Sequence, residues 1–258
     1  MLARYRPTLR PMQLAALPAL SVVPSVPVRA RARIVYLHGG GYTTFSARST
    51  LFASVPLAQE LGMDLWSIDY PSAPQSRFDR TVPLARDAVH AACADGTPVL
   101  LVGDSAGGGL ALAVTRRLVE EGAARPRALA LWSPWADPGA TPESRASLAG
   151  FDPVLRSAAD LEKCALAYAT RAHLRDPDVS PLRAAYTVGF PPTLIQCGSR
   201  EILLSDAVGL HYALARAGAR PVLDLVPGMV HSFPAVLPDL PESRAARRRM
   251  AKFFTRLV

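Results

Sequence analysis

The sequence predicts an α/β domain with a mostly parallel central sheet and helices on both faces. Three observations predict it. Short runs rich in Val, Ile and Leu alternate with longer amphipathic stretches over most of the chain, and strands buried on both faces and separated by helices make a parallel sheet. The 258 residues are 50% hydrophobic, enough to bury one sizeable core, so residues 1–258 read as a single domain. A glycine-rich turn, GDSAGGG at 103–109, joins one apolar run directly to an Ala/Leu-rich stretch of helical character.

The elements follow in order. Residues 33–37, RIVYL, form the first clear strand, and 48–62 form a helix ended by Gly62, since glycine supplies the left-handed residue that stops a helix. Residues 63–69 are the next strand and 79–94 the next helix. A strand over 97–103 leads through the glycine turn into a helix from Ala106 to about Glu121, and 127–133 is another strand. Residues 191–198, 203–217 and 221–226 continue as strand, helix and strand. The run ESRAARRRMAKFF, with Met250, Phe253, Phe254 and Leu257 at helical spacing, closes the chain as an amphipathic helix whose arginines form a solvated face. Residues 137–189 interrupt the alternation, polar and turn-rich at first and helical around 157–170. An insertion at the carboxyl end of a strand lies where open α/β sheets bind ligands, so it is placed to act as a partial cap.

Composition excludes several classes. The net charge of +8 is carried almost wholly by arginine, but no helix-turn-helix, zinc-finger or aromatic RNA-binding pattern accompanies it, which argues against a nucleic-acid partner. Cys93, Cys164 and Cys197 are odd in number, far apart and in no C-x-x-C pattern, so neither a disulfide framework nor a metal site is expected, and a reducing, cytoplasmic setting is. The N-terminus opens with arginines and then runs uncharged from Pro11 to Val28, like the start of a signal peptide. Against that, Pro11, Pro18, Pro24 and Pro27 punctuate the run, and the small-x-small site Ala30-Arg31-Ala32 abuts the first strand. The run is also too short and too broken to cross a membrane.

Ser105 is either a small turn residue or a nucleophile. The strand before it and the helix after it are the context of a nucleophile elbow, in which flanking glycines leave room for a strained serine. The N–H of Ala106, at the helix start, can donate to a developing oxyanion. His38-Gly39-Gly40-Gly41-Tyr42 follows strand 33–37, and its glycines let backbone N–H groups approach a ligand. His211 falls mid-helix, whereas His231, in PGMVHSF, follows strand 221–226 in a loop suited to a mobile base. After strand 192–197, Glu201 begins a loop and Asp206 sits in the next helix. The order serine, acid, histidine fits a hydrolytic triad with either acid.

Together HGGG, GDSAGG, DY..AP at 69–74, SPL at 180–182, Glu201-Ile202-Leu203 and His231-Ser232-Phe233 resemble the hormone-sensitive-lipase-like esterases. The resemblance implies an α/β-hydrolase fold with a reduced cap, a Ser105–Glu201–His231 triad, and oxyanion donors from Gly40, Gly41 and Ala106. Those esterases more often carry Asp-Pro-Leu where this chain has Glu201-Ile202-Leu203, which keeps Asp206 as the alternative acid. The activity implied is a serine carboxylesterase, with no cofactor, acting through an acyl-enzyme, and the short lead segment with the polar insertion at 137–150 points to soluble short-chain esters. A small-molecule ester is the expected partner, and a homodimer is left open.

Two departures carry expectations of their own. Residues 1–32 read as a truncated lead segment, so the family's N-terminal cap helices and a first strand are expected to be missing and the site to be open. DYPSAPQ keeps Asp69, Tyr70, Ala73 and Pro74 but lacks the family's arginine and glutamate, which predicts weaker support of the oxyanion loop. Tyr42, Trp135, Phe151 and Phe190 are candidates both for a substrate pocket and for core packing. A ligand-binding receptor on an esterase scaffold, a lactonase, an N-deacetylase and a carbamate hydrolase share these residues and stand as alternatives.

Overall fold

The computed structural model describes residues 2–26 and 31–257. Its strands are β1 (Thr8–Leu14), β2 (Leu17–Val23), β3 (Arg33–Leu37), β4 (Asp64–Ile68), β5 (Val99–Asp104), β6 (Ala128–Trp132), β7 (Thr193–Gly198) and β8 (Pro221–Val226). They form one eight-stranded sheet in the order β1-β2-β4-β3-β5-β6-β7-β8. From β4 to β8 all neighbours are parallel, as the alternation of apolar and amphipathic stretches predicts.

The helices are α1 (Leu2–Tyr5), α2 (Leu51–Leu61), α3 (Phe78–Cys93), α4 (Ala106–Glu120), α5 (Glu143–Ser147), α6 (Ala158–Tyr168), α7 (Leu204–Arg216), α8 (Phe233–Val236) and α9 (Pro241–Thr255). Gly62 ends α2 in the left-handed region, φ 62°, and donates back to the Ala58 carbonyl. The strands divide their side chains between two layers, as a period of two requires. Val35, Leu37 and Leu101 join Val89, Leu110 and Leu210 of α3, α4 and α7. Ile34, Tyr36 and Val102 join Leu57, Met250 and Phe254 of α2 and α9 on the other face.

Two expectations are corrected. No strand is legible before residue 33, yet residues 8–23 fold as the antiparallel hairpin β1–β2, docked on β4. Prolines hid it. Pro11 lies on β1, the outermost strand, where a missing N–H costs no ladder bond, and Pro18 lies at the start of β2. The Pro18 carbonyl accepts from Asp69, fixing the hairpin to the end of β4. Residues 27–30, including part of the Ala30-Arg31-Ala32 pattern, lie outside the described residues. The second correction concerns α9, whose arginines are not all solvated. Arg247 is fully buried and forks onto Glu60 of α2 at 3.0 and 2.9 Å, donating also to the Pro234 carbonyl. No described helix is long and apolar enough to cross a membrane.

Candidate active site

Four neighbouring strands end on the same edge, and the loops that follow β5, β6, β7 and β8 carry Ser105, Ser133, Glu201 and His231. Residues far apart in sequence are thereby gathered at the carboxyl ends of the strands, where open α/β sheets form sites.

Ser105 occupies the turn between β5 and α4 with φ 54° and ψ −120°, a conformation that L-residues avoid and that persists only when its surroundings enforce it. They do so from several sides. Its N–H donates to the Trp132 carbonyl at 2.9 Å, and its carbonyl accepts from Gly108, Gly109 and Trp135. A β-carbon at Gly103 would strike the backbone of Gly107, and one at Gly107 would strike the Leu37 and His38 carbonyls. Both flanking glycines are therefore steric requirements of the turn.

The glycine loop, residues 38–42, is fastened to that turn. Asp104, one residue before Ser105, accepts from the Gly39 N–H at 2.8 Å and from the Tyr36 hydroxyl at 2.5 Å. Burial raises the Asp104 pKa, with the Tyr36 and Gly39 hydrogen bonds working against the rise. Tyr70 donates to the His38 carbonyl at 2.5 Å and stacks on the imidazole at 4.3 Å, and Ala73 donates to the Tyr42 carbonyl at 2.8 Å. The loop is thus held without the arginine and glutamate that DYPSAPQ lacks, by Asp104, Tyr70 and Ala73. Gly40 and Gly41 take φ 108° and 61°. Among the described residues nothing accepts from the N–H groups of Gly40, Gly41 or Ala106.

Glu201 is fully buried. Its Oε2 accepts from the Ser133 hydroxyl at 2.7 Å and the Gly198 N–H at 2.9 Å, while its Oε1 lies 3.9 Å from His231 Nδ1. Neither Oε1 nor Nδ1 has a hydrogen-bond partner among the described residues, and each faces the other beyond hydrogen-bond distance. Burial presses the His231 imidazole toward its neutral form, but Glu201, then Asp152 and Asp104, outweigh it and raise its pKa above the ordinary value. Asp206 sits elsewhere. It accepts from the Ala136 and Asp137 N–H groups and faces Arg145 at 3.5 Å, and burial lifts its pKa to about 6. Of the two acids, Glu201 is the one brought to His231, and Asp206 instead pins the base of the insertion. His211 lies on α7 beside Tyr212.

The insertion covers the glycine loop. A β-carbon on Gly41 would come within 2.9 Å of Cys164 Sγ on α6, and Tyr168 of the same helix stacks on Tyr42 at 3.8 Å, which stacks in turn on Trp135. Tyr42 and Trp135 are therefore buried packing beneath the cap. Phe151 is 56% exposed and, with Pro153, Arg156, Arg200 and Val230, lines a cavity of about 470 Å³ beside the His231 loop. Phe190 precedes β7 and packs on Tyr186 at the opposite end of the sheet. Sequence reasoning missed Ser133 and Asp152. The signals were thin: a Ser-Pro directly after a strand, and an Asp-Pro inside a polar insertion.

Residues 34–235 match the family model described as the alpha/beta hydrolase fold, and the chain belongs to that family. Within it the chain is a hormone-sensitive-lipase-like esterase, a carboxylic ester hydrolase. It is 36% identical over 216 residues to an acetyl-hydrolase of Streptomyces hygroscopicus, covering 83% of this chain and 72% of that one. An esterase of Acinetobacter venetianus is 32% identical, over 87% of this chain and 75% of its own. A crystal structure of an esterase from the bacterial hormone-sensitive lipase family superposes with a TM-score of 0.91 at 31% identity, over 97% of this chain and 84% of the other.

Proposed function

We propose that this protein hydrolyses small soluble carboxylic esters through an acyl-enzyme on Ser105, with His231 as base, Glu201 as its orienting acid and Gly40, Gly41 and Ala106 as oxyanion donors. The observation that carries this reading is the strained Ser105 turn beside three N–H groups that have no acceptor among the described residues. Such groups cost free energy when unpaired and are worth most when charge develops in front of them.

His231 takes the hydroxyl proton as Ser105 attacks the ester carbonyl, and Glu201 keeps the Nδ1 proton facing itself so that Nε2 is free to accept. The carbonyl electrons move onto oxygen, which the backbone donors hold. Collapse expels the alcohol, protonated by His231, and leaves an acyl-serine. Water, deprotonated by the same imidazole, then releases the carboxylic acid and restores Ser105.

A small acyl group is supported by the insertion, residues 137–189, which is strapped down rather than hinged. Arg116 and Arg117 of α4 both grip Asp178, and Arg183 ties the two ends of the insertion together by pairing with Asp137 at 3.0 Å. The aromatic stack of Tyr168, Tyr42 and Trp135 fills the space beneath α6. The acetyl-hydrolase relative supports the same size class. We further propose residues 1–258 as one domain and a cytoplasmic setting, the latter supported by three widely separated free thiols. A panel of p-nitrophenyl esters, lactones and acetamides tests the reading: turnover confined to lactones or amides, or none at all with ligand binding retained, would replace it.

A further inference from the structure

Asp152 belongs to the insertion, yet its carboxylate is fully buried at the histidine loop. Oδ2 accepts the backbone N–H of His231 at 3.0 Å, and Oδ1 accepts those of Val154 and Leu155 at 2.8 and 3.2 Å. No arginine or lysine pairs with it among the described residues. A carboxylate taken out of water without a counter-charge is costly unless its lone pairs are filled. Three backbone N–H groups fill them, and one belongs to the residue read as the base.

The neighbouring residue is held differently. Ser232, at φ 48°, donates its N–H to Ser133 Oγ at 2.8 Å. The histidine loop therefore has two successive backbone anchors, one on the sheet scaffold after β6 and one on the insertion. Local hydrogen bonding alone does not require the second. A turn stabilised only for folding could have used any nearby carbonyl, whereas a carboxylate here also sets a charge close to the imidazole.

We infer that Asp152 is a positioning residue for His231, the carboxylate through which the insertion holds the histidine loop at the site. The inference rests on the reading of His231 as the base. The insertion is then more than a wall for substrate, because the register of its Asp152 turn fixes where the imidazole stands. Four groups bear on that imidazole: Glu201 from the loop after β7, Asp152 from the insertion, Asp104 from the end of β5, and the Ser232 hydroxyl at 3.4 Å from Nε2. Asp152 raises the imidazole pKa, so its removal lowers it.

The test compares wild type with Asp152→Asn by NMR titration of the His231 imidazole, and by kcat and KM on p-nitrophenyl butyrate across pH. The expected result is an imidazole that titrates at lower pH, with kcat reduced about a hundredfold by the misplaced ring and KM little changed. Asp152→Ser, which keeps a small acceptor and puts no amide group against the three donors, gives the same comparison if the asparagine variant does not fold. The titration is read on variants whose amide spectrum shows the wild-type fold, because an unfolded imidazole would return to the ordinary histidine value; a folded variant whose imidazole titrates at the wild-type pH overturns the inference, whether or not kcat falls. The NMR arm needs no turnover, so it separates failure of this inference from failure of the esterase reading.

Discussion

The Ser133 hydroxyl donates to Glu201 Oε2 at 2.7 Å and accepts the Ser232 N–H at 2.8 Å. One side chain after β6 therefore ties the Glu201 loop to the His231 loop. Ser133 itself has φ 48°, so Ser105, Ser133 and Ser232 all stand in the left-handed region at the same edge of the sheet, where strain of about 1–3 kcal/mol each is stored and held by the surrounding bonds.

The acid assignment follows from this tie. Glu201→Gln keeps the volume but allows the wrong imidazole tautomer, and kcat is expected to fall about ten-thousandfold. Asp206→Asn is expected to change kcat by no more than a few-fold. Its remaining effect is read in stability, since Asp206 Oδ2 accepts the Ala136 and Asp137 N–H groups at the base of the insertion. Steady-state kinetics and thermal melts on both variants check the pair of outcomes, and the reverse pattern would return the acid role to Asp206.

With His231 as the proposed base, its raised pKa sets the acid limb of activity. A base must be neutral to accept the Ser105 proton, and a group whose pKa is raised stays protonated to higher pH. Activity should therefore be half-maximal on the acid side at a pH above the ordinary histidine value of 6.5. A kcat/KM profile between pH 5 and 9 reads this directly, and a limb below the ordinary value would mean that burial, not the carboxylates, governs the imidazole.

The oxyanion loop makes its own prediction. Gly40 has φ 108°, and a β-carbon there would strike the Thr44 carbonyl and the Phe45 ring. Gly40→Ala must distort the loop, and turnover is expected to drop about a hundredfold to a thousandfold, the scale of losing one oxyanion donor. Ester kinetics on the folded variant check it.

Much of this was legible in the sequence because it depends on local steric rules. The parallel strands announced themselves as apolar runs, and GDSAG and HGGG declared their turns, because only glycine permits Gly103, Gly107 and Gly40 their positions. Long-range pairings carried no such signal. Nothing near residue 152 says that its carboxylate will meet His231, and nothing near Ser133 says that it will join two other loops. The β1–β2 hairpin was hidden for another reason, since prolines that argue against a strand are harmless on an outer one. Glu201 and Asp206 lie five residues apart after the same strand, so only their partners tell them apart.

Substrate size should follow the strapped cap. With α6 fixed over the oxyanion loop, methylenes beyond the pocket gain none of the roughly 0.8 kcal/mol that burial brings. The kcat/KM for p-nitrophenyl esters is expected to peak at acyl chains of about two to six carbons and to fall steeply beyond about eight. Preference for dodecanoyl or palmitoyl esters, with a rise above their solubility limit, would mean that the insertion opens as a lid.

The central claim is that Ser105 carries the acyl group, and the most direct measurement is mass spectrometry of the protein after reaction with a fluorophosphonate probe, alongside turnover of Ser105→Ala. The expected result is one adduct, on the peptide containing residues 103–109, absent in Ser105→Ala, with turnover of that variant lower by about a million-fold. An adduct on another residue, or labelling and turnover that survive in Ser105→Ala, would contradict it.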